Sequence, residues 1–214
     1  MKLSLWCRWG GLTVAAVAGL LCSCQSAEKV SYLDPASNDR KIVRTGAVDQ
    51  QDWGFAASQL TDSLLKSGVL DKAKREGEPN VVMISKINNK TLEHIEIDLL
   101  VNKISTGLTK SGKALVTSAI RAGGPEDEAT KKTREELRTD AEFDQATIAD
   151  KGTMKAQDYS LSGSIIESEA KAGKTTQSTF TFQLALTDAK TGLAVWRDEF
   201  EIVKQGKTKA SVGW

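Results

Sequence analysis

The sequence predicts an α/β domain, a single mixed β-sheet with flanking helices, over residues 52–204. Three observations predict it. Apolar residues recur at three- and four-residue steps in two stretches of the first half, which is helical spacing. They alternate strictly in three stretches of the last third, the pattern of strands with one buried face. Between the two helical stretches runs "VVMISKI", Val81 to Ile87, apolar on both faces except at Ser85 and Lys86, which suits a strand in the middle of a sheet.

The first helix is expected from Gly54 to Ser67, with Ala57, Leu60 and Leu64 on one face, Asp52 at its start and Gly68 as its stop. "EGEPN" then breaks the chain before the Val81 strand. Asn88, Asn89 and Thr91 offer a turn and a cap for a second helix over Glu93–Lys110, whose Ile97, Leu100, Val101, Ile104 and Leu108 form the apolar stripe. Lys103 and Lys110 sit favourably toward its carboxyl end, and Gly112 is placed to stop it. "ALVTSAI", Ala114 to Ile120, reads as a short strand.

After Gly123, Gly124 and Pro125 comes "EDEATKKTREELRTDAEFDQA". Its pairs Asp127/Lys131, Glu128/Lys132, Lys131/Glu135 and Lys132/Glu136 support a solvated helix. The last third supplies three antiparallel strands, with Tyr159, Leu161 and Ile165 on one face of the first. Phe180, Phe182, Leu184 and Leu186 share a face of the second, and Trp196, Phe200 and Ile202 a face of the third. "DAKTG" joins the last two as a hairpin loop in which Gly192 takes positive φ. The opposite faces carry Thr179, Thr181, Gln183, Thr187, Arg197, Glu199 and Glu201, a surface polar enough to meet water or a partner.

The amino terminus reads as an export signal. Lys2 and Arg8 precede the apolar run "GGLTVAAVAGLL", too short for the roughly 20 residues a bilayer span needs. Leu21-Cys22-Ser23-Cys24 then has the form of a bacterial lipobox, so residues 1–23 are expected to be a lipoprotein signal peptide and Cys24 the lipid attachment site. Loss of the leader and acylation of Cys24 leave no free thiol, which excludes disulfides and thiol catalysis. Residues 24–51 read as the lipidated cysteine and a flexible tether, at most about 90 Å extended and about 30 Å as a coil. "QGKTKASVGW", residues 205–214, loses periodicity and reads as a loose tail.

Charge and side-chain inventory narrow the function. Of 29 Lys+Arg, removal of Lys2 and Arg8 leaves 27 against 28 Asp+Glu. That balance argues against nucleic acid as partner, because phosphate binding needs a clustered basic surface. His94 is the only histidine and reads as a surface or cap residue, so neither a metal cluster nor a Ser/His/Asp set is built around it. The carboxylates lie in solvated charge runs. No catalytic, cofactor-binding or metal residues are assigned, and the chain reads as no enzyme.

"GLTKSGKAL", Gly107 to Leu115, comes within one residue of a phosphate-binding loop. Such a loop follows a strand and opens a helix, whose free N–H groups hold the phosphates. Here the predicted order is helix, loop, strand, and Ala114 stands where a Mg²⁺-binding Ser or Thr belongs. The stretch therefore reads as a helix C-cap and turn.

The lipobox at Cys24, Asp52-Trp53, "VVMISKINNKT", "SGKALVTS", "AQDYSLSGSI" and "FTFQLALTDAKTGLAVWRDEFEIVK" together resemble the LpoB-type outer-membrane lipoproteins that activate penicillin-binding proteins. The resemblance implies a mixed-sheet α/β fold like the amino-terminal domain of TolB. It also implies a non-catalytic regulator, lipid-anchored in the outer membrane and facing the periplasm, that binds and activates a bifunctional penicillin-binding protein in peptidoglycan synthesis. Gln25 rather than Asp after Cys24 fits that location under the bacterial sorting rule. The alternative is a non-catalytic adaptor in another envelope assembly or secretion complex. The partner-contact surface is left open between the charged helix Glu126–Arg138 and the polar sheet face.

Overall fold

The computed structural model describes residues 48–119, 123 and 127–207. The expected leader, Cys24, most of the tether and Trp214 lie outside the described residues. One five-stranded sheet forms in the order β2-β1-β3-β4-β5. Its strands are β1 (Asn80–Lys90), β2 (Ala114–Val116), β3 (Tyr159–Ala172), β4 (Thr175–Asp188) and β5 (Ala194–Lys207). The helices are α1 (Gln50–Lys66), α2 (Ile97–Lys110) and α3 (Glu128–Glu136), with a 3-10 turn at Gln145–Thr147. β1 runs parallel to both β2 and β3, whereas β3, β4 and β5 are antiparallel, so the sheet is mixed as the sequence predicts.

The core lies between one sheet face and helices α1 and α2. Alternation in β4 buries Phe180, Phe182, Leu184 and Leu186 under the helices, and β3 adds Tyr159, Leu161 and Ile165. From above come Trp53, Leu60 and Leu64 of α1 with Leu100, Ile104 and Leu108 of α2. Trp53 meets Phe180 edge to face, ring centroids 5.9 Å apart, within the range where aromatic pairs add about 0.5–1.5 kcal/mol to plain burial. Trp196, Phe200 and Ile202 are only half-buried, because β5 is an edge strand.

Several boundaries differ from the sequence reading. α1 starts at Gln50, inside the expected tether, because Asp49 rather than Asp52 is its N-cap. Asp49 Oδ1 accepts from the N–H groups of Gln51 and Asp52 at 2.9 Å, and Asp52 Oδ2 accepts from the Asp49 N–H at 3.3 Å, a reciprocal capping box. Asn88 and Asn89 lie within β1, not in a turn. The turn follows at residues 91–96, where Asn89 Oδ1 accepts from the Thr91 N–H and Asn89 Nδ2 donates to the Glu93 carbonyl. Ile95 must reach the core from this loop, which delays α2 to Ile97.

β2 spans only Ala114–Val116, since its ladder to β1 is limited to Asn80–Val82. α3 ends at Glu136, well short of Ala146, and the predicted pair Lys132–Glu136 lies at 3.8 Å. β5 runs through Lys207, past the expected domain end at Lys204, because Gln205 and Lys207 complete the ladder to Gln177 and Thr175. Gly192 has φ of 72° in the β4–β5 hairpin, as expected.

Candidate partner-binding surface

The residues that carry the family resemblance turn out to fasten the fold. Asp52 binds Lys204 at 2.7 Å, tying the start of α1 to the end of β5. Asp158, just before β3, accepts from the Val81 N–H and from Arg75 Nη2, each at 2.8 Å, and its carbonyl accepts from the Ala189 N–H at 2.9 Å. One residue thus joins β1, the loop before it and the β4–β5 hairpin.

Asp188 is buried at the end of β4 and bonds Lys74, whose ammonium also lies 5.2 Å from the Tyr159 ring centre. The Lys74 hydrogen bond, opposed by burial and aided by the N–H groups of Lys190 and Thr191, lowers the Asp188 carboxyl to about 2. The same bond raises the Lys74 ammonium. Lys74 and Arg75 lie outside every motif read from the sequence, and the pairs Lys74–Asp188, Arg75–Asp158 and Asp52–Lys204 each join residues far apart in the chain.

The phosphate-loop lookalike is a helix end. Gly107 sits inside α2, where an added Cβ would come 2.8 Å from Thr61 Cγ2, so it allows α1 and α2 to close. Ser111 is the C-cap, and Gly112 follows at φ of 70°. Lys113 Nζ donates to the Leu65 carbonyl at 3.0 Å and pairs with Asp71 at 2.6 Å, stapling the last turn of α1. A strand follows, with no helix N-terminus to receive phosphate.

His94 is exposed in the loop before α2 with Nε2 2.8 Å from Glu96 Oε1. Among the described residues no three His, Cys, Asp or Glu side chains are grouped to hold a metal ion.

Two surfaces remain as partner candidates. The charged segment spends its arginines on itself: Arg134 donates to the Asp150 carbonyl at 2.9 Å and to Thr153 Oγ1 at 2.7 Å, and Arg138 to the Ala149 carbonyl at 2.7 Å. Gln145 Nε2 donates to the carbonyls of Leu137 and Asp140. These bonds fold residues 134–153 into a self-contained exposed excursion.

The polar sheet face is different. It carries Ser160, Ser162 and Ser164 of β3, Thr181, Gln183 and Ala185 of β4, and Arg197, Glu199 and Glu201 of β5. A concavity of about 590 Å³ lies across it, walled by Lys86 and Lys90 on one side and Arg197 on the other.

The β5 edge itself is guarded. Asp198 and Lys204 point inward, accepting from Ser63 Oγ and pairing with Asp52 respectively, and inward charges discourage strand addition.

A family model described as peptidoglycan-synthase activator LpoB matches residues 52–202. Comparison with curated proteins gives no significant match. Among solved structures, the chain is similar to the LpoB C-terminal domain from Salmonella enterica, at 16% identity and TM-score 0.40, covering 71% of this chain and 98% of that one. The LpoB C-terminal domain from Escherichia coli gives 15% identity and TM-score 0.40 over the same shares, 71% and 98%. Lipoprotein GNA1162 from Neisseria meningitidis gives 13% identity and TM-score 0.35, over 62% of this chain and 88% of that one. The family match takes in β1 to β4, all of α2 and most of α1 and β5, and on that match the chain belongs to the LpoB family of peptidoglycan-synthase activators.

Proposed function

We propose that the protein is an outer-membrane lipoprotein, anchored through Cys24 and facing the periplasm, that binds and activates a bifunctional penicillin-binding protein. The observation that carries this reading is the family match over residues 52–202. The motif residues Asp52, Trp53, Asp158 and Asp188 are all used in holding the fold, which leaves the surface to do the work.

An activator without chemistry of its own acts by binding the synthase's active state more tightly than its inactive one, so its leverage equals that difference in affinity. A tether anchored at Cys24 and entering α1 at Gln50 confines the domain to a shell within about 90 Å of the membrane. Confinement raises its effective concentration, so modest affinity for the synthase suffices.

Capture of the full chain from its own envelope after crosslinking tests the partner. The proposal expects a bifunctional penicillin-binding protein as the main crosslinked species. Recovery of secretion or other envelope components in its place would transfer the chain to the adaptor reading.

A further inference from the structure

We propose that the trough across the outer sheet face receives an extended acidic peptide segment, which on the functional reading above belongs to the synthase. The trough exists because of a β-bulge. Ile84 pairs with Leu161 and Ile87 with Gly163, so Ser85 and Lys86 together stand opposite the single residue Ser162. Without the extra residue the alternation that buries Val82 and Ile84 would turn Lys86 toward the core. With it, Ile87 is buried while Lys86, Asn88 and Lys90 all face outward. The Ser85 and Ser160 hydroxyls bond at 2.7 Å and pin the distortion.

Two rows of side chains then cross the sheet. One runs from Lys86 through Ser162 and Ala185 to Arg197, and the next from Asn88 through Ser164 and Gln183 to Glu199. In the first row cations stand at both ends of a floor of small residues. Lys86, Lys90 and Arg197 are exposed and form no ion pair among the described residues, so what sets them apart from other exposed cations is their place around one floor.

Glu199, the one acid in the second row, is bonded by Gln183 Nε2 at 2.9 Å. Three sheet intervals of about 4.8 Å separate Lys86 from Arg197, roughly 14 Å, which an extended peptide covers in about four residues. The amides and hydroxyls of Asn88, Ser164 and Gln183 suit a peptide backbone between two carboxylates better than a lipid headgroup, which has no such repeat.

The test compares the full chain in detergent with a trough variant, K86E/K90E/R197E, and a control of equal charge change, K151E/K174E/K190E, all at exposed positions. Binding is read at low salt to a labelled ten-residue peptide of alternating Glu and Ser, to its Lys-for-Glu counterpart, to phosphatidylglycerol vesicles and to the bifunctional synthases. The proposal expects the Glu peptide to bind and the Lys peptide and the vesicles not to, with the Glu peptide bound at least tenfold more weakly by the trough variant and less than threefold more weakly by the control. The same contrast should appear with the synthase.

No binding of the Glu peptide, equal weakening in both variants, or a trough effect confined to the vesicles would overturn it. If the peptide behaves as expected but no synthase binds the unaltered chain, the functional reading falls and the acidic-peptide site stands.

Discussion

Lys113 offers a direct test of what the phosphate-loop lookalike is for. In the structure its ammonium sits 3.0 Å from the Leu65 carbonyl, near the end of α1, and 2.6 Å from Asp71. A cation at a helix C-terminus contributes about 0.3–1 kcal/mol, and an exposed ion pair about 0.2–1 kcal/mol. Both groups are well exposed, so Lys113→Ala should cost about 1 kcal/mol and no more than about 2 kcal/mol. With a urea slope of about 2 kcal/mol/M, the unfolding midpoint should fall by roughly 0.5–1 M. A double-mutant cycle with Asp71→Ala should return a coupling below about 1 kcal/mol, separating the ion pair from the carbonyl bond. Saturable ATP binding that vanishes in Lys113→Ala with no change in midpoint would refute the staple and restore the nucleotide reading.

A Cβ at Gly163 would come 2.6 Å from both the Gln183 carbonyl and Leu184 Cδ2, so Gly163→Ala should destabilise by about 1–3 kcal/mol in thermal unfolding; an unchanged midpoint would mean that β3 and β4 spread freely. Because the folded Asp188 carboxyl lies at about 2, below its unfolded value of about 3.9, its contribution is full above pH 4 and is lost as pH falls through 2. Urea midpoints measured from pH 5 to pH 2 should therefore fall less steeply in Asp188→Asn than in the unaltered chain, and parallel slopes would contradict the assignment. Cys24→Ala should abolish labelling by an alkyne fatty acid and release the protein from the outer membrane, whereas a labelled, membrane-bound variant would place the anchor elsewhere.

The regular parts of the fold were legible because local pattern and tertiary burial agree there. Phe180 to Leu186 alternate in sequence and alternate in burial, and the stripe from Ile97 to Leu108 faces the core of α2. Boundaries failed where two residues competed for one role. Asp49 and Asp52 are both good cap residues; in the structure Asp52 sits inside the first turn, where it completes the capping box of Asp49 and binds Lys204 of β5, a contact no local pattern reveals.

Asn88 and Asn89 look like turn residues, but pairing with Ser164 and Ile165 of β3 keeps them in the strand. The polar outer face was readable from alternation alone. Its cations were not grouped by sequence, because the bulge at Ser85 and Lys86 changes which side of the sheet Lys86 and Lys90 occupy. Lys74 and Asp188 stand 114 residues apart, and no local signal joins them.

On the proposed function, this domain raises the rate of a cell-wall synthase by binding it, with no catalysis of its own. The most direct test adds the purified full chain in detergent to each bifunctional penicillin-binding protein of the source organism and follows glycan polymerisation and peptide crosslinking with lipid-linked precursor. The account predicts a saturable rise in both rates for at least one synthase, and no product when the chain is incubated with precursor alone. Folded protein that neither binds nor accelerates any of them would contradict it.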